Sequence, residues 1–276
     1  MEGWFLSADY KKAIGYIKLI IVVSIWGGTY HVAKYMIKYA DIFTLSFLRF
    51  LVASIVLLIL LYRRNGREGF ASKPKHHWLI LFMIGFVGVF LYNMSFFGAE
   101  SLISCNKVAI LFAFTPCLSI ILGMIFLRQK LNFLGYLGII ISLLGAISVI
   151  MIADTSCDKL FCDNGIFETL SLGEGLALLA ALAMAGYNIL NRVAAGVSLD
   201  PLTVTTFSAT FGALLLGITY LFYGGSFNVL YNVPWQFWLA LMYMSVIATV
   251  LCYKWYSDAI HEVGVAKTAM VHYTKH

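Results

Sequence analysis

Charge is scarce in this chain. Of its 276 residues only 12% are Asp, Glu, Lys or Arg, while 61% are hydrophobic and the mean hydropathy is +0.88; an ordinary soluble domain carries about 25% charged residues. The shortage excludes a water-soluble globule, because no soluble fold of this length has interior enough for so much apolar surface. A bilayer solves the problem: lipid solvates the outside of a helix bundle, and each backbone amide is satisfied within its own helix. The formal charge of +6 is not gathered on one soluble segment, so nucleic acid is not an expected partner. It reads instead as a signal of orientation in the membrane.

Chemistry-bearing groups are equally sparse. Glu174 and Asp258 read as edge positions and no carboxylate is assigned to mid-span, so a carboxylate proton relay has no evident carrier; Lys34, His31 or no ion at all are left to couple. A paired-histidine haem site, a zinc-protease helix and a phosphate-cradling glycine loop are all missing. No nucleophile or acid/base pair stands out within the apolar runs, which argues against a membrane enzyme acting on lipid, and no cofactor or metal is expected. The cysteines number five. Cys105, Cys117 and Cys252 lie in or beside apolar runs, as small buried hydrophobes do. Cys157 and Cys162 share a polar loop, and a local disulfide there is conceivable on an oxidising face, although close spacing alone does not establish bridging geometry.

Long apolar runs, by contrast, are abundant. A hydrocarbon core of ~30 Å needs about 20 apolar residues in helical form. Eight stretches meet that length, at roughly 14–36, 41–62, 78–98, 103–127, 133–152, 172–192, 201–223 and 235–257, and a ninth begins near Val263 and stops at His276, too short to span. The first carries Lys18, Trp26 and His31 and lacks a small-residue cleavage site, so it reads as a retained helix rather than a signal peptide. Lys18 and Lys254, near helix ends, read as snorkelling residues. With the N-terminus in the cytoplasm, ten basic residues, among them Lys11, Arg63, Arg64, Arg67, Lys75, Arg128 and Arg192, fall on the cytoplasmic side against two, Lys38 and Lys159, on the other. The positive-inside rule therefore predicts that orientation, in a multi-pass protein of the cell (inner) membrane.

The chain also resembles itself at an offset near 160. WLILFMIGFVGVFLYNMSFFGAESLISCNKVAI from Trp78 aligns with WLALMYMSVIATVLCYKWYSDAIHEVGVAKTAM from Trp238, matching Trp78 to Trp238, Leu91 to Leu251, Ala99 to Ala259 and Lys107 to Lys267. At offsets of 158 and 159, Lys34 pairs with Arg192, Asp41 with Asp200 and Thr44 with Thr203. The first unit, residues 14–152, holds five spans, an odd number, so the second, residues 172–276, must cross the membrane with opposite polarity. The expected fold is all-α: a polytopic transmembrane helix bundle of two inverted five-helix repeats, with about eight full spans, a partial ninth and a second repeat incomplete at its C-terminus.

SIWGGTYHVAK at Ser24 to Lys34, FLRF at Phe47 to Phe50, TPCLSIILGMIFLRQKL at Thr115 to Leu131 and LGIIISLLGAISVI at Leu137 to Ile150 together resemble the EamA-type domain of the drug/metabolite transporter superfamily, and LGEGLALLAALAMAGYNILNR at Leu172 to Arg192 resembles the start of its second copy. The resemblance implies ten helices in two inverted copies, residence in the cell membrane, and export of metabolites, amino acids or drugs. Two departures stand out: Arg128, Gln129 and Lys130 replace the family's usual Gly-Glu-Arg before Leu131, and a tenth helix is absent. The expected function is therefore a secondary transporter, an exporter of small organic solutes by alternating access, and not an enzyme. The alternative is a degenerate or accessory membrane protein of the same fold without transport activity. Its partners are a small-molecule solute and the bilayer, and a homodimer is compatible with the sequence.

Candidates for the solute pathway are the polar and aromatic groups set in apolar helices: Trp26, His31, Lys34, Arg49, Tyr92, Asn93, Lys107, Tyr187, Asn188, Asn191, Arg192 and Trp255. Arg49, eight residues into its span, is the deepest cation and could meet a helix carbonyl, an acidic neighbour or an anionic substrate group. Lys34, Arg49 and Lys107 converge on the outer half. The tyrosines and asparagines suit hydrogen bonding to a solute or to a neighbouring helix, and with Trp26 and Trp255 they would line an amphipathic pocket. Gly27 and Gly28 beside Trp26 permit close helix approach, the first reading, or a local break lining a cavity.

Overall fold

A computed structural model describes residues 8–70, 74–127, 137–141, 144–145, 148, 171–223 and 231–256. Among them, seven helices are long and apolar enough to cross a membrane. They are α1 (Ala8–Met36), α2 (Ile42–Asn65), α3 (Lys75–Leu102), α4 (Cys105–Leu127), α5 (Leu172–Gly196), α6 (Pro201–Phe222) and α7 (Trp235–Tyr256). These correspond to the first four and the sixth to eighth predicted stretches. Most of the fifth, at 133–152, the polar loop with Cys157 and Cys162, Asp258, and the partial ninth lie outside the described residues.

The ends of the helices depart from the predicted spans. Arg63 and Arg64 continue α2 to Asn65, a short 3-10 turn follows at Gly66–Phe70, and α3 begins at Lys75, so both ends of the basic segment Arg63 to His77, between the predicted spans 41–62 and 78–98, are helical. Hydropathy marks where a helix leaves hydrocarbon. It does not mark where hydrogen bonding stops, since charged residues are solvated at the headgroup level and the helix runs on through them.

Polar residues start the helices. Asp41 caps α2, its carboxylate accepting from the backbone N–H of Phe43 and Thr44, and Asp200 caps α6 by accepting from the N–H of Thr203. Both aspartates also accept from a threonine hydroxyl three residues on, Thr44 and Thr203. Ser171 and Glu174 form a reciprocal capping box at the start of α5.

Helix α2 packs along α6 with opposite polarity. At one end Phe43 stacks on Tyr223 and Phe47 on Tyr220, with ring centres 4.7 and 5.3 Å apart; at the other, Arg64 pairs with Asp200 at 3.3 Å. Phe50, Ala53, Leu57 and Leu61 fill the seam with Ala209, Ala213 and Leu216. Where α3 crosses α6 the backbones nearly touch: a Cβ on Gly85 would sit 2.6 Å from the Ser208 carbonyl oxygen. Glycine is needed there because any side chain would part the helices. The start of α5 lies at the end of the bundle where α4 begins, joined to it by the ion pair of Lys107 with Glu174.

Two helices change pitch at mid-course. Phe86–Leu91 in α3 and Tyr243–Leu251 in α7 form wider π-type turns. At the 160-residue offset the first stretch falls on 246–251, inside the second. Such wide turns inside α-helices occur often at functional sites.

Candidate functional site

Helices from both halves of the sequence wall a cavity of ≈ 660 Å³ of non-atom space, its mouth included. Helix α1 contributes Val23, Trp26, Gly27, Thr29 and Tyr30; α2 contributes Arg49; α3, Tyr92; α4, Ala109, Phe112 and Ala113; α5, Met184; and α7, Tyr253. Five of these twelve residues are aromatic. Tyr30 and Tyr92 meet Phe112 and Phe96 with ring centres 5.5 to 6.3 Å apart, and Trp26 meets Tyr253 edge-on at 5.7 Å. The pitch change in α7 serves this wall directly: the Trp26 indole donates to the Ala248 carbonyl at 2.8 Å, fixing α1 against the wide turns.

Among the described residues Arg49 is the one cation in the cavity lining, and it is 5% exposed. Its Nε donates to Thr249 Oγ1 at 3.2 Å and its Nη1 to Asn93 Oδ1 at 3.3 Å, and the guanidinium lies 5.4 Å from the Phe50 ring centre. Both oxygens are held as acceptors, because Asn93 Nδ2 donates to the Val89 carbonyl and the Thr249 hydroxyl to the Met244 carbonyl, each at 2.7 Å. Asn93 and Thr249 therefore orient Arg49 without neutralising it. Asn93 follows the wide turns of α3 and Thr249 sits within those of α7, so both pitch changes flank the cation.

Of the residues singled out from sequence, Trp26, Arg49 and Tyr92 line the cavity and Asn93 supports it. Tyr187 is buried behind the wall, its ring 5.7 Å from Tyr253, with Asn191 Nδ2 bonded to its carbonyl. Asn188 bridges to Ser119 at 3.3 Å, tying α5 to α4, and Trp255 packs against the cluster of Leu19, Val22 and Cys252. His31 and Arg192 are exposed on the outside of the bundle. Lys34 donates to the carbonyls of Glu100 and Ile103, closing the end of α3, and Lys107 pairs with Glu174. Neither lysine lines the cavity, whereas Arg49 does.

Further residues bear on the site. Two carboxylates are buried near helix ends: Glu174, in the first turn of α5 as its edge position in the sequence implies, is 1% exposed, and Glu100, two residues before the end of α3, is fully buried, with neither of its carboxylate oxygens hydrogen-bonded among the described residues. In the sequence Glu100 falls between the apolar stretches at 78–98 and 103–127, and a lone carboxylate so placed was signal enough to flag it. Tyr30, Phe112, Met184 and Tyr253 complete the cavity but look like any apolar-helix residue. Gly27 faces the cavity with no atom near its missing Cβ, rather than a packed neighbour, while Gly28 faces the Tyr243 hydroxyl, which donates to the Ile25 carbonyl.

Apolar helices of membrane-spanning length, arranged around a cavity with aromatic residues and Arg49 in its wall, define a multi-pass membrane protein. Comparison with known proteins makes this specific. The model of the EamA-like transporter family matches residues 13–151 and again 171–275, and the chain belongs to that family. It is similar to the uncharacterized transporter YyaM of Bacillus subtilis (strain 168), 28% identical over 258 residues covering 92% of this chain and 80% of that protein. It is also similar to the uncharacterized transporter YetK of the same strain, 30% identical over 254 residues and covering 90% and 72%. An uncharacterized transporter of Archaeoglobus fulgidus is 24% identical over 201 residues, 73% of this chain. The chain is thus a membrane transporter by family, whose partners are a small-molecule solute and the lipid bilayer.

Proposed function

We propose that this protein is a secondary transporter that exports small organic solutes by alternating access around the cavity of Trp26, Arg49 and Tyr253. The observation that carries the reading is the composition of the cavity wall: α1 to α4 from one half of the sequence and α5 and α7 from the other both contribute to it, so movement of one half against the other would reshape it. The proposed halves are residues 14–152 and 172–276, inverted with respect to each other. The opposite course of α2 and α6, the equivalent caps at Asp41 and Asp200, and the coincident wide turns in α3 and α7 support that relation. The bias of basic residues supports a cytoplasmic N-terminus in the cell (inner) membrane.

The test is flux. The purified chain is reconstituted into liposomes loaded with labelled amino acids, organic acids, organic cations or nucleosides, and release is followed against empty liposomes. Saturable release of at least one class, reduced by Trp26→Ala, is the expected result. Indifference to every class would contradict the transport reading and favour a non-transporting member of the family.

A further inference from the structure

We propose that the solute is a small organic monoanion whose carboxylate is held by Arg49 while its apolar body lies among Trp26, Tyr30, Tyr92 and Tyr253. This rests on reading the cavity as the solute site and names the class of solute it takes.

The guanidinium has five N–H groups in a rigid fork. The described residues take up two of them, one on Thr249 Oγ1 and one on Asn93 Oδ1, and both acceptors are neutral. Among the described residues no acidic side chain lines the cavity and none forms an ion pair with Arg49. A buried cation without a counter-charge is costly to the fold, and proteins compensate such charges with a partner. Here the cation faces a cavity, and the partner that fits is a ligand anion. The donors left over suit the two oxygens of a carboxylate, which Arg binds in paired fashion. One positive charge balances one negative charge, which favours a carboxylate over a doubly charged phosphate. The aromatic wall takes an apolar or aromatic body and offers no carboxylate to an ammonium group, so organic cations and the amino group of an amino acid meet nothing that neutralises them.

Three probes of one shape and different charge separate these cases: benzoate, benzamide and benzylammonium, each titrated against the full chain in nanodiscs of zwitterionic lipid while thermal unfolding is followed. Benzoate should raise the unfolding midpoint and the other two should not. Arg49→Gln should weaken benzoate about 10- to 100-fold, as expected for losing a charged hydrogen-bond donor, and Arg49→Lys should weaken it less. Equal stabilisation by benzamide or benzylammonium, no stabilisation by benzoate, or a benzoate response that survives Arg49→Gln would each overturn the assignment. If Arg49→Gln does not fold, the three-probe comparison on the wild-type chain decides alone. Flux of neutral or cationic solutes without a benzoate response would leave transport standing and refute the anion site. Arg49-dependent benzoate binding without flux of any class would do the reverse.

Discussion

Replacing Gly85 with alanine should destabilise the bundle although it adds a single methyl group. The new Cβ would lie 2.6 Å from the Ser208 carbonyl oxygen, 3.0 Å from Phe211 Cβ and 3.2 Å from the Gly212 nitrogen, and two of these are backbone atoms that no rotamer change can move. Ordinary contact begins near 3.4 Å, so α3 and α6 must separate by about 0.8 Å, the difference between 3.4 and 2.6 Å. A gap of that size forfeits roughly a quarter to a half of each dispersion contact across the seam. Overpacked sites of this kind cost about 1–3 kcal/mol, and the gain from replacing a helical glycine by alanine returns about 1 kcal/mol. Because the obstructing atoms are backbone, overpacking falls at the upper end of its range, about 2–3 kcal/mol, and the expected net loss is about 1–2 kcal/mol. Gly27→Ala is the matched control, since nothing lies within 4 Å of its Cβ position. Thermal unfolding of the two variants in one detergent ranks them directly. A Gly85→Ala protein as stable as wild type, or a Gly27→Ala protein that is the weaker of the two, would refute the close-packed crossing.

Other substitutions test the charges and caps. Lys107→Met strips the counter-charge from Glu174, which is 1% exposed; a fully buried pair loses about 3–5 kcal/mol this way, and the 19% exposure of Lys107 reduces that figure through solvent screening. Adding Glu174→Gln to Lys107→Met should recover much of the loss in thermal unfolding, because the amide oxygen can still accept from the Ser171 N–H; no recovery would show that the pair is not the cause. Asp41→Ala should cost about 1 kcal/mol by freeing the N–H groups of Phe43 and Thr44, and an unchanged midpoint would argue against the cap. Glu100→Gln should leave stability unchanged or raise it, since the buried carboxylate has no hydrogen-bond partner among the described residues and the amide removes its charge at the same shape; a clear drop in the midpoint would mean that the carboxylate holds the fold.

Hydropathy made the membrane helices legible, because a span must be apolar over its whole length whatever it packs against. Arg49 was legible for the same reason: a cation eight residues into an apolar run has few explanations. The cavity around it was only half legible. Trp26, Tyr92 and Asn93 stood out as polar or bulky groups, whereas Tyr30, Phe112 and Tyr253 share their letters with lipid-facing residues, and only the helix rotation distinguishes inside from outside. His31 shows the converse: a polar residue in a span that rotation turns to the bundle exterior. Thr249 was hidden because its importance depends on the wide turns of α7, and pitch changes of that kind leave no periodic mark in a helix that is apolar all round. Lys107 was read toward the pathway because its partner Glu174 lies 67 residues away, and sequence does not pair charges across helices.

Alternating access is tested most directly at Ala109, which lines the cavity. Ala109→Cys, in a chain whose own five cysteines are replaced, is exposed in sealed vesicles to a membrane-impermeant maleimide added to the outside or trapped inside. Alternating access predicts labelling from either side, with saturating solute changing the two rates in opposite senses. Labelling from one side alone, unmoved by any solute, would contradict it.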